Sequence, residues 1–261
     1  MNSVNKTMYI PLYGKSVVSR KGLFLSDPRA ERIWEQEGFP LGGRSASKWL
    51  AYTMGIRAAV FDDWLRAQME QIPDGVVLHI GCGMDSRVLR VGTGGHCWYD
   101  VDFPEVIRER RRYFEEGPEY RMLGADVRQK GWLDAVSGAK DAIVVMEGVS
   151  MYLTPRELLE LVQLLTGRFD RIHLLMDCYT ELAVKVSRYK NPINEVGVTR
   201  VYGLDQPQKL NHGSFRFTAE MDMVPQRYVR QLQGMEQRIF KTVFAGPIYG
   251  MLYRLYEFRS E

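Results

Sequence analysis

From Gly75 to Tyr179 short apolar runs alternate with stretches of helical periodicity, and this alternation restricts the fold more than any other feature. The runs "GVVLHIGCG", "HCWYDVDFP", "EYRMLGAD", "DAIVVMEGV" and "RIHLLMDCY" have the length and composition of buried strands. Between them, 84–91, "PEVIRERRRYFEEG", "QKGWLDAV" and "TPRELLELVQLLTGRF" read as helices. Strands joined through helices run parallel, and a parallel sheet needs cover on both faces. The expected class is α/β, a doubly wound Rossmann-like sheet.

The flanks are less regular. Gly14, Gly22, Pro28, Gly38, Pro40, Gly42 and Gly43 are expected to break residues 1–44 into short pieces. Within them, "SDPRAERIWEQEG" offers a helix with Asp27 as N-cap, Pro28 in the first turn and Gly38 as the stop. "SASKWLAYTMGIRAAVFDDWLRAQMEQIPDG" reads as a second, longer helix. After Tyr179 the pattern loosens around Pro192, Gly197, Gly203, Pro207 and Gly213, as an insertion does. "RYVRQLQGMEQRIF" is helical again, and "AGPIYGMLYRLYEFRS" alternates like terminal strands. The expected organisation is one domain: a helical cap (1–75), a core (76–180), a lid or acceptor insertion (181–220), and a C-terminal helix with strands (221–261).

A chain of 261 residues can bury a substantial core. Its formal charge of +3 is scattered and leaves no footprint for nucleic acid. The dense basic cluster "RERRRYF" has acids on either side and reads as a solvated helix face. Cys82, Cys97 and Cys178 form no C-x-x-C pair, which fits a reducing cytoplasm and supports neither a zinc site nor a disulfide framework. The N-terminus lacks the apolar core of a signal peptide, and no window approaches the ~20 apolar residues that cross a bilayer. A soluble cytoplasmic protein is expected, without membrane or nucleic acid; its tyrosine-rich tail is able to pair with another chain.

Gly81-Cys82-Gly83 stands at the carboxyl end of the first strand, where open parallel sheets bind ligands. Asp100 and Asp102 close the next strand, and a carboxylate there can accept both ribose hydroxyls of an adenosine. "GCGMDS" falls one residue short of the dinucleotide fingerprint, with Ser86 at the place of the third glycine. Asp85 in this turn disfavours a pyrophosphate, which wants bare amides and a helix N-terminus. S-adenosylmethionine has no phosphate and carries a positive amino group, so an acid-bearing turn suits it better.

Taken together, "VVLHIGCGMDSRVLRV", "YDVDFPEVIRERR" and "VVMEGVSMYLTPREL" resemble the leucine carboxyl methyltransferase superfamily, and within it the bacterial branch of TcmP-like polyketide O-methyltransferases. "IPLYGKSVVSRKGLFLSDPRAERI" and "MGIRAAVFDDWL" are similar to that branch as well, so the resemblance covers roughly residues 9–180. It implies a class I methyltransferase sheet, mostly parallel and closed by an antiparallel C-terminal strand. The implied activity is S-adenosylmethionine-dependent O-methylation of a small-molecule carboxylate or hydroxyl.

The resemblance also assigns residues. Arg57 would hold the carboxylate of the cofactor's methionine half, for which a guanidinium fork is suited. Gly81 and Gly83 would lie under the methionine and ribose, beside Asp85. Asp100 or Asp102 would take the ribose, Asp126-Val127 would flank the adenine, and Glu147 would face the amino group or the acceptor entrance. Arg87 is expected to close a salt bridge near the turn. Acceptor contacts would come from the N-terminal segment and the insertion, with Tyr13, Tyr189 and Tyr202 among them; Tyr152 either joins them or packs under the helix begun by Thr154-Pro155. His79, His96 and His173 read as core or edge residues. No general base stands out; His212 is the candidate, against the plainer reading of a surface histidine. Two other functions use the same sheet: a nicotinamide-dependent oxidoreductase, or a non-catalytic domain that binds the cofactor or a metabolite.

Overall fold

The computed structural model describes residues 7–43, 45–136, 138–187 and 200–260. Seven strands form one sheet: β1 (Val76–Ile80), β2 (Trp98–Asp102), β3 (Tyr120–Gly124), β4 (Asp141–Met146), β5 (Arg171–Tyr179), β6 (Arg216–Met221) and β7 (Tyr253–Ser260). Their spatial order is β3-β2-β1-β4-β5-β7-β6. The five strands expected from the alternation pair in parallel, and β7 runs antiparallel between β5 and β6. Winding proceeds outward from β1 to β3, then returns to the other side of β1 for β4 and β5. That reversal opens a crevice at the carboxyl ends of β1 and β4, where ligands bind in such sheets.

Helices α1 (Tyr9–Arg20), α2 (Pro28–Glu37), α3 (Lys48–Gln71), α4 (Arg87–Val91) and α5 (Pro104–Arg110) precede or interleave the first strands. They are followed by α6 (Pro155–Arg168), α7 (Glu181–Ser187), α8 (Gln226–Val229), α9 (Gly234–Val243) and α10 (Pro247–Gly250). Local chemistry explains their starts. The Asp27 side chain accepts from the Ala30 amide at 2.9 Å and Gly38 ends α2. Thr154 and Glu157 form a reciprocal capping box at α6. Strand β1 has no exposed side chain: Val77 packs toward α3, while Val76, Leu78 and Ile80 pack toward α6.

Several expectations need correction. The N-terminal segment is continuous helix over Tyr9–Arg20, because Gly14 serves close packing and does not break it. A Cβ at Gly14 would stand 2.6 Å from Met54 Cβ, and one at Gly55 would stand 2.7 Å from Val18 Cγ2, so α1 and α3 meet through paired glycines. Residues 216–221, expected in the insertion, form the edge strand β6. The stretch 227–240 is two helices, and the break lets Tyr228, Val229, Leu232 and Phe240 all reach the core. Helix α5 stops at Arg110, and Arg110 of the "solvated" basic face is fully buried. Among the described residues no helix is long and apolar enough to cross a membrane.

The α1–α3 contact yields a prediction. Gly14→Ala gains about 1 kcal/mol of helix propensity but forces overpacking worth about 1–3 kcal/mol. A net loss is expected, seen as a denaturation midpoint lowered by a few degrees, whereas the same change at exposed Gly42, with open space around it, leaves the midpoint unmoved.

Candidate functional site

The chain leaves β1 through a turn that only glycine fits. Gly81 has φ +69°, and a Cβ there would lie 2.1 Å from Val149 Cγ2 in the loop after β4. The two loops therefore close on each other and form the floor of a cavity of about 580 Å³, in the range of roughly 300–1,000 Å³ usual for small-molecule sites. Gly81–Asp85, Asp102, Phe103, Asp126–Arg128 and Glu147–Val149 supply its sheet side. Helices α1 and α3 supply Lys15, Met54 and Arg57, and the chain's end supplies Tyr249, Leu252 and Tyr253.

Arg57 projects from α3 into one end. Its Nε donates to Glu147 Oε1 at 2.9 Å, and its Nη1 donates to Asp177 Oδ2 at 2.9 Å and Tyr253 Oη at 2.6 Å. Nη2 has no hydrogen-bond partner among the described residues, and Gly148 leaves room in front of it: a Cβ there would stand 3.5 Å away. Three acceptors thus fix the plane of a guanidinium whose remaining edge meets the cavity. Burial pushes the Glu147 carboxyl up, but the Arg57 and Arg87 guanidinium groups outweigh it and hold the group at about 2.

Behind this end lies a network of buried ions. Arg87, expected to close a salt bridge near the turn, is fully buried and bonds Glu147, Asp62 at 2.8 Å and Asp85 at 3.3 Å. Arg90 bonds Asp62 at 2.6 Å and both Asp27 and Asp85 at 2.7 Å. Lys15 reaches Asp85 at 3.4 Å. Asp85 was expected to present an open acid to the turn. Three cations already balance it, so its charge no longer argues against a phosphate.

Asp102 marks the middle of the cavity. Its oxygens accept from the Gly83 amide at 2.8 Å and the Phe103 amide at 2.7 Å. Burial pushes its pKa up to about 6 against these two hydrogen bonds. Asp100 is a correction: it lies wholly inside, with partners in His79, Trp98, Arg110 and Tyr120, and has no face to the cavity. At the far end Asp126 forms a fork with Arg128, Nη2 to Oδ2 at 2.6 Å, and Val127 lines the wall beside it.

The expected acceptor residues divide. Tyr152 lines the cavity, its hydroxyl pKa raised by burial. Tyr13 points away from the cavity, donating to the Ala46 carbonyl at 3.0 Å and packing on Trp34. Tyr202 sits apart from it, beside Arg200, and His212 is an exposed loop residue closing a turn with Phe215. Tyr189 lies outside the described residues. Met54, Met151, Tyr179, Tyr249 and Tyr253 line the cavity and were missed. Asp177, which steadies Arg57, was missed too: it lies level with Glu147 beside the Met146–Met176 pair, but β5 runs two residues past it, so a search at strand ends passes over it. Tyr253 had no such signal, because only the antiparallel register sets it opposite Tyr179.

Comparison with known proteins gives a family and a fold. The family model described as Leucine carboxyl methyltransferase matches residues 12–166. The tetracenomycin polyketide synthesis O-methyltransferase TcmP of Streptomyces glaucescens is 26% identical, over 98% of this chain and 96% of its own. A S-adenosyl-L-methionine-dependent methyltransferase, dpfgK, of Gibberella zeae is 28% identical over 64% of this chain and 61% of its own. Among solved structures, magnesium protoporphyrin IX methyltransferase of Synechocystis PCC 6803 with bound SAH superposes with a TM-score of 0.52. It is 15% identical and aligned over 90% of this chain and 94% of that one.

Removing Arg87 should be severe. Arg87→Met leaves Glu147, Asp62 and Asp85 short of a cation and is expected to cost about 3–5 kcal/mol in denaturant unfolding at pH 7. Glu147, depressed in the fold, stabilises above its ordinary 4.5, and that share is lost as the pH falls from there toward about 2. The deficit of the variant should therefore shrink in acid.

Proposed function

Since the chain belongs to the leucine carboxyl methyltransferase family, we propose that it is an S-adenosylmethionine-dependent O-methyltransferase acting on a small, largely apolar or aromatic molecule through a carboxylate or hydroxyl oxygen. One observation carries the reading: a single cavity at the switch point of the sheet holds the guanidinium edge of Arg57 at one end, the Gly81–Gly83 backbone and the Asp102 carboxylate in the middle, and Asp126-Val127 at the other.

These residues fit the cofactor group by group. The Nη2 edge of Arg57 suits the methionine carboxylate, Glu147 the amino group, Asp102 the ribose hydroxyls, and Val127 with Phe103 the adenine face. Held there, the cofactor would supply a methyl group activated by a sulfonium sulfur, which would leave with the electron pair of the carbon–sulfur bond on displacement by the acceptor oxygen. The protein's share is alignment and exclusion of water. Tyr152, Tyr179, Tyr249, Tyr253, Met54 and Met151 wall the space that remains, an apolar and aromatic compartment. Asp102 would be taken up by the ribose, and the other acids and bases lining the cavity are held by partners or by burial. Glu147 is too weakly basic at about 2, both nitrogens of His79 are engaged, and burial raises the hydroxyls of Tyr152, Tyr249 and Tyr253. Among the described residues no general base stands free. An acceptor already anionic at neutral pH needs none, which favours a carboxylate over a hydroxyl. Family membership leaves the nicotinamide alternative without support; a product assay separates turnover from binding alone.

Calorimetry with S-adenosylmethionine, and NAD as control, tests the reading. The protein should bind the first only, and Arg57→Lys, which keeps the charge but loses the fork, should bind at least about tenfold more weakly. Binding of NAD, or of neither, overturns it. Affinity should also depend on pH through Asp102: the carboxylate binds ribose, so affinity is constant well above about 6 and falls below it. Each further unit of acid should weaken binding by up to about tenfold, and Asp102→Asn should flatten the profile.

A further inference from the structure

His79 lies in β1 just ahead of the glycine turn and lines the cavity while almost wholly buried. Its Nδ1 is 3.0 Å from Asp100 Oδ1, and its Nε2 is 3.1 Å from Nη1 of Arg87. A guanidinium only donates, so Nε2 must be the bare, accepting nitrogen, and the proton sits on Nδ1 and is donated to Asp100. Burial lowers the pKa of the ring and keeps it neutral. A second proton would set an N–H directly against the Arg87 guanidinium.

The two partners serve different parts of the cavity. Arg87 holds Glu147, whose other oxygen accepts from Arg57 Nε at 2.9 Å. Asp100 holds Arg110, whose Nη1 donates to the Gly83 carbonyl at 3.0 Å. The ring therefore joins the ion pairs behind Arg57 to those behind the glycine turn. Its two links are unequal in weight. Asp100 has three other donors, in Trp98, Tyr120 and Arg110. Nη1 of Arg87 has His79 as its acceptor, while Nε and Nη2 serve Asp62, Asp85 and Glu147.

We propose that His79 is a positioning residue for the cofactor site: held as the neutral Nδ1–H tautomer, it fixes Arg87 and through it the Glu147–Arg57 pair at the methionine end. The inference rests on the S-adenosylmethionine reading above. His79 acts through Arg87 and takes no part in methyl transfer.

Two substitutions and one spectrum test it. In His79→Gln the amide oxygen restores an acceptor for Arg87; in His79→Asn the amide nitrogen restores only the donor for Asp100. Calorimetric titration with S-adenosylmethionine should show His79→Asn weakened by about tenfold or more, since a buried donor is left unmet, and His79→Gln within about threefold of wild type. A purely structural role would lower affinity in step with the thermal midpoints, with no preference for the restored acceptor. The ¹⁵N spectrum of histidine-labelled wild type at neutral pH should show Nδ1 protonated and Nε2 bare. Equal affinity in all three proteins, equal weakening in both variants, or a protonated Nε2 overturns the inference. If neither variant folds, the spectrum decides. If the wild type binds no S-adenosylmethionine, the cofactor reading itself fails, which is a different result from unaffected variants.

Discussion

Behind the glycine turn, four cations and five carboxylates form one connected set of buried ion pairs: Lys15, Arg57, Arg87 and Arg90 with Asp27, Asp62, Asp85, Glu147 and Asp177. Desolvating such groups costs roughly several kcal/mol per ion, and apolar residues of similar volume often do as well for stability. The return is positional. Each carboxylate is shared between elements far apart in the chain: Asp27 caps α2 and holds Arg90 of α4, and Asp62 of α3 holds both arginines of α4. The helical cap is thereby tied to the core at the level of the cavity, and the guanidinium of Arg57 is left one orientation.

The middle of the cavity shows the opposite arrangement. Among the described residues Asp102 forms no ion pair; two backbone amides are its donors, and burial raises its pKa to about 6. A carboxylate left short of compensation weakens the free fold at neutral pH and gains when a ligand brings hydroxyl donors to it. Asp100, two residues earlier on the same strand, is held at about 2 by Arg110, His79 and Tyr120 against the burial that pushes it up. One acid is satisfied by the fold and the other faces the cavity. The contrast is what supports Asp102 over Asp100 in the proposed cofactor site.

Much of this was legible from residues alone. The alternation of apolar runs located the five parallel strands, since burial on both faces demands continuous Val, Ile and Leu. The caps at Asp27 and Thr154 placed two helix starts. The rule that ligands meet the carboxyl ends of strands selected Gly81 and the pair Asp100 and Asp102, and the family resemblance added Asp126 and Glu147; all but Asp100 line one cavity. Tyr13 and Tyr202 misled, because aromatic residues in the flanking segments carry no direction: composition counts them but does not say which way they point; His212 is the surface histidine of the plainer reading.

The sequence by itself therefore determined the class of sheet, the place of its crevice and most of the polar groups around it, because strand burial and strand ends are local properties. Tertiary structure alone decided which of two neighbouring acids faces the cavity, that Asp85 is neutralised by Lys15, Arg87 and Arg90, and that Gly14 packs closely inside a helix where it was expected to break the segment. It also brought Tyr253 from the far end of the chain to Arg57 through the antiparallel pairing of β7 with β5. Most of those outcomes turn on partners tens to hundreds of residues away, Arg87 and Arg90 beside Asp85 excepted, and neither a charge nor a glycine states in advance what it will meet.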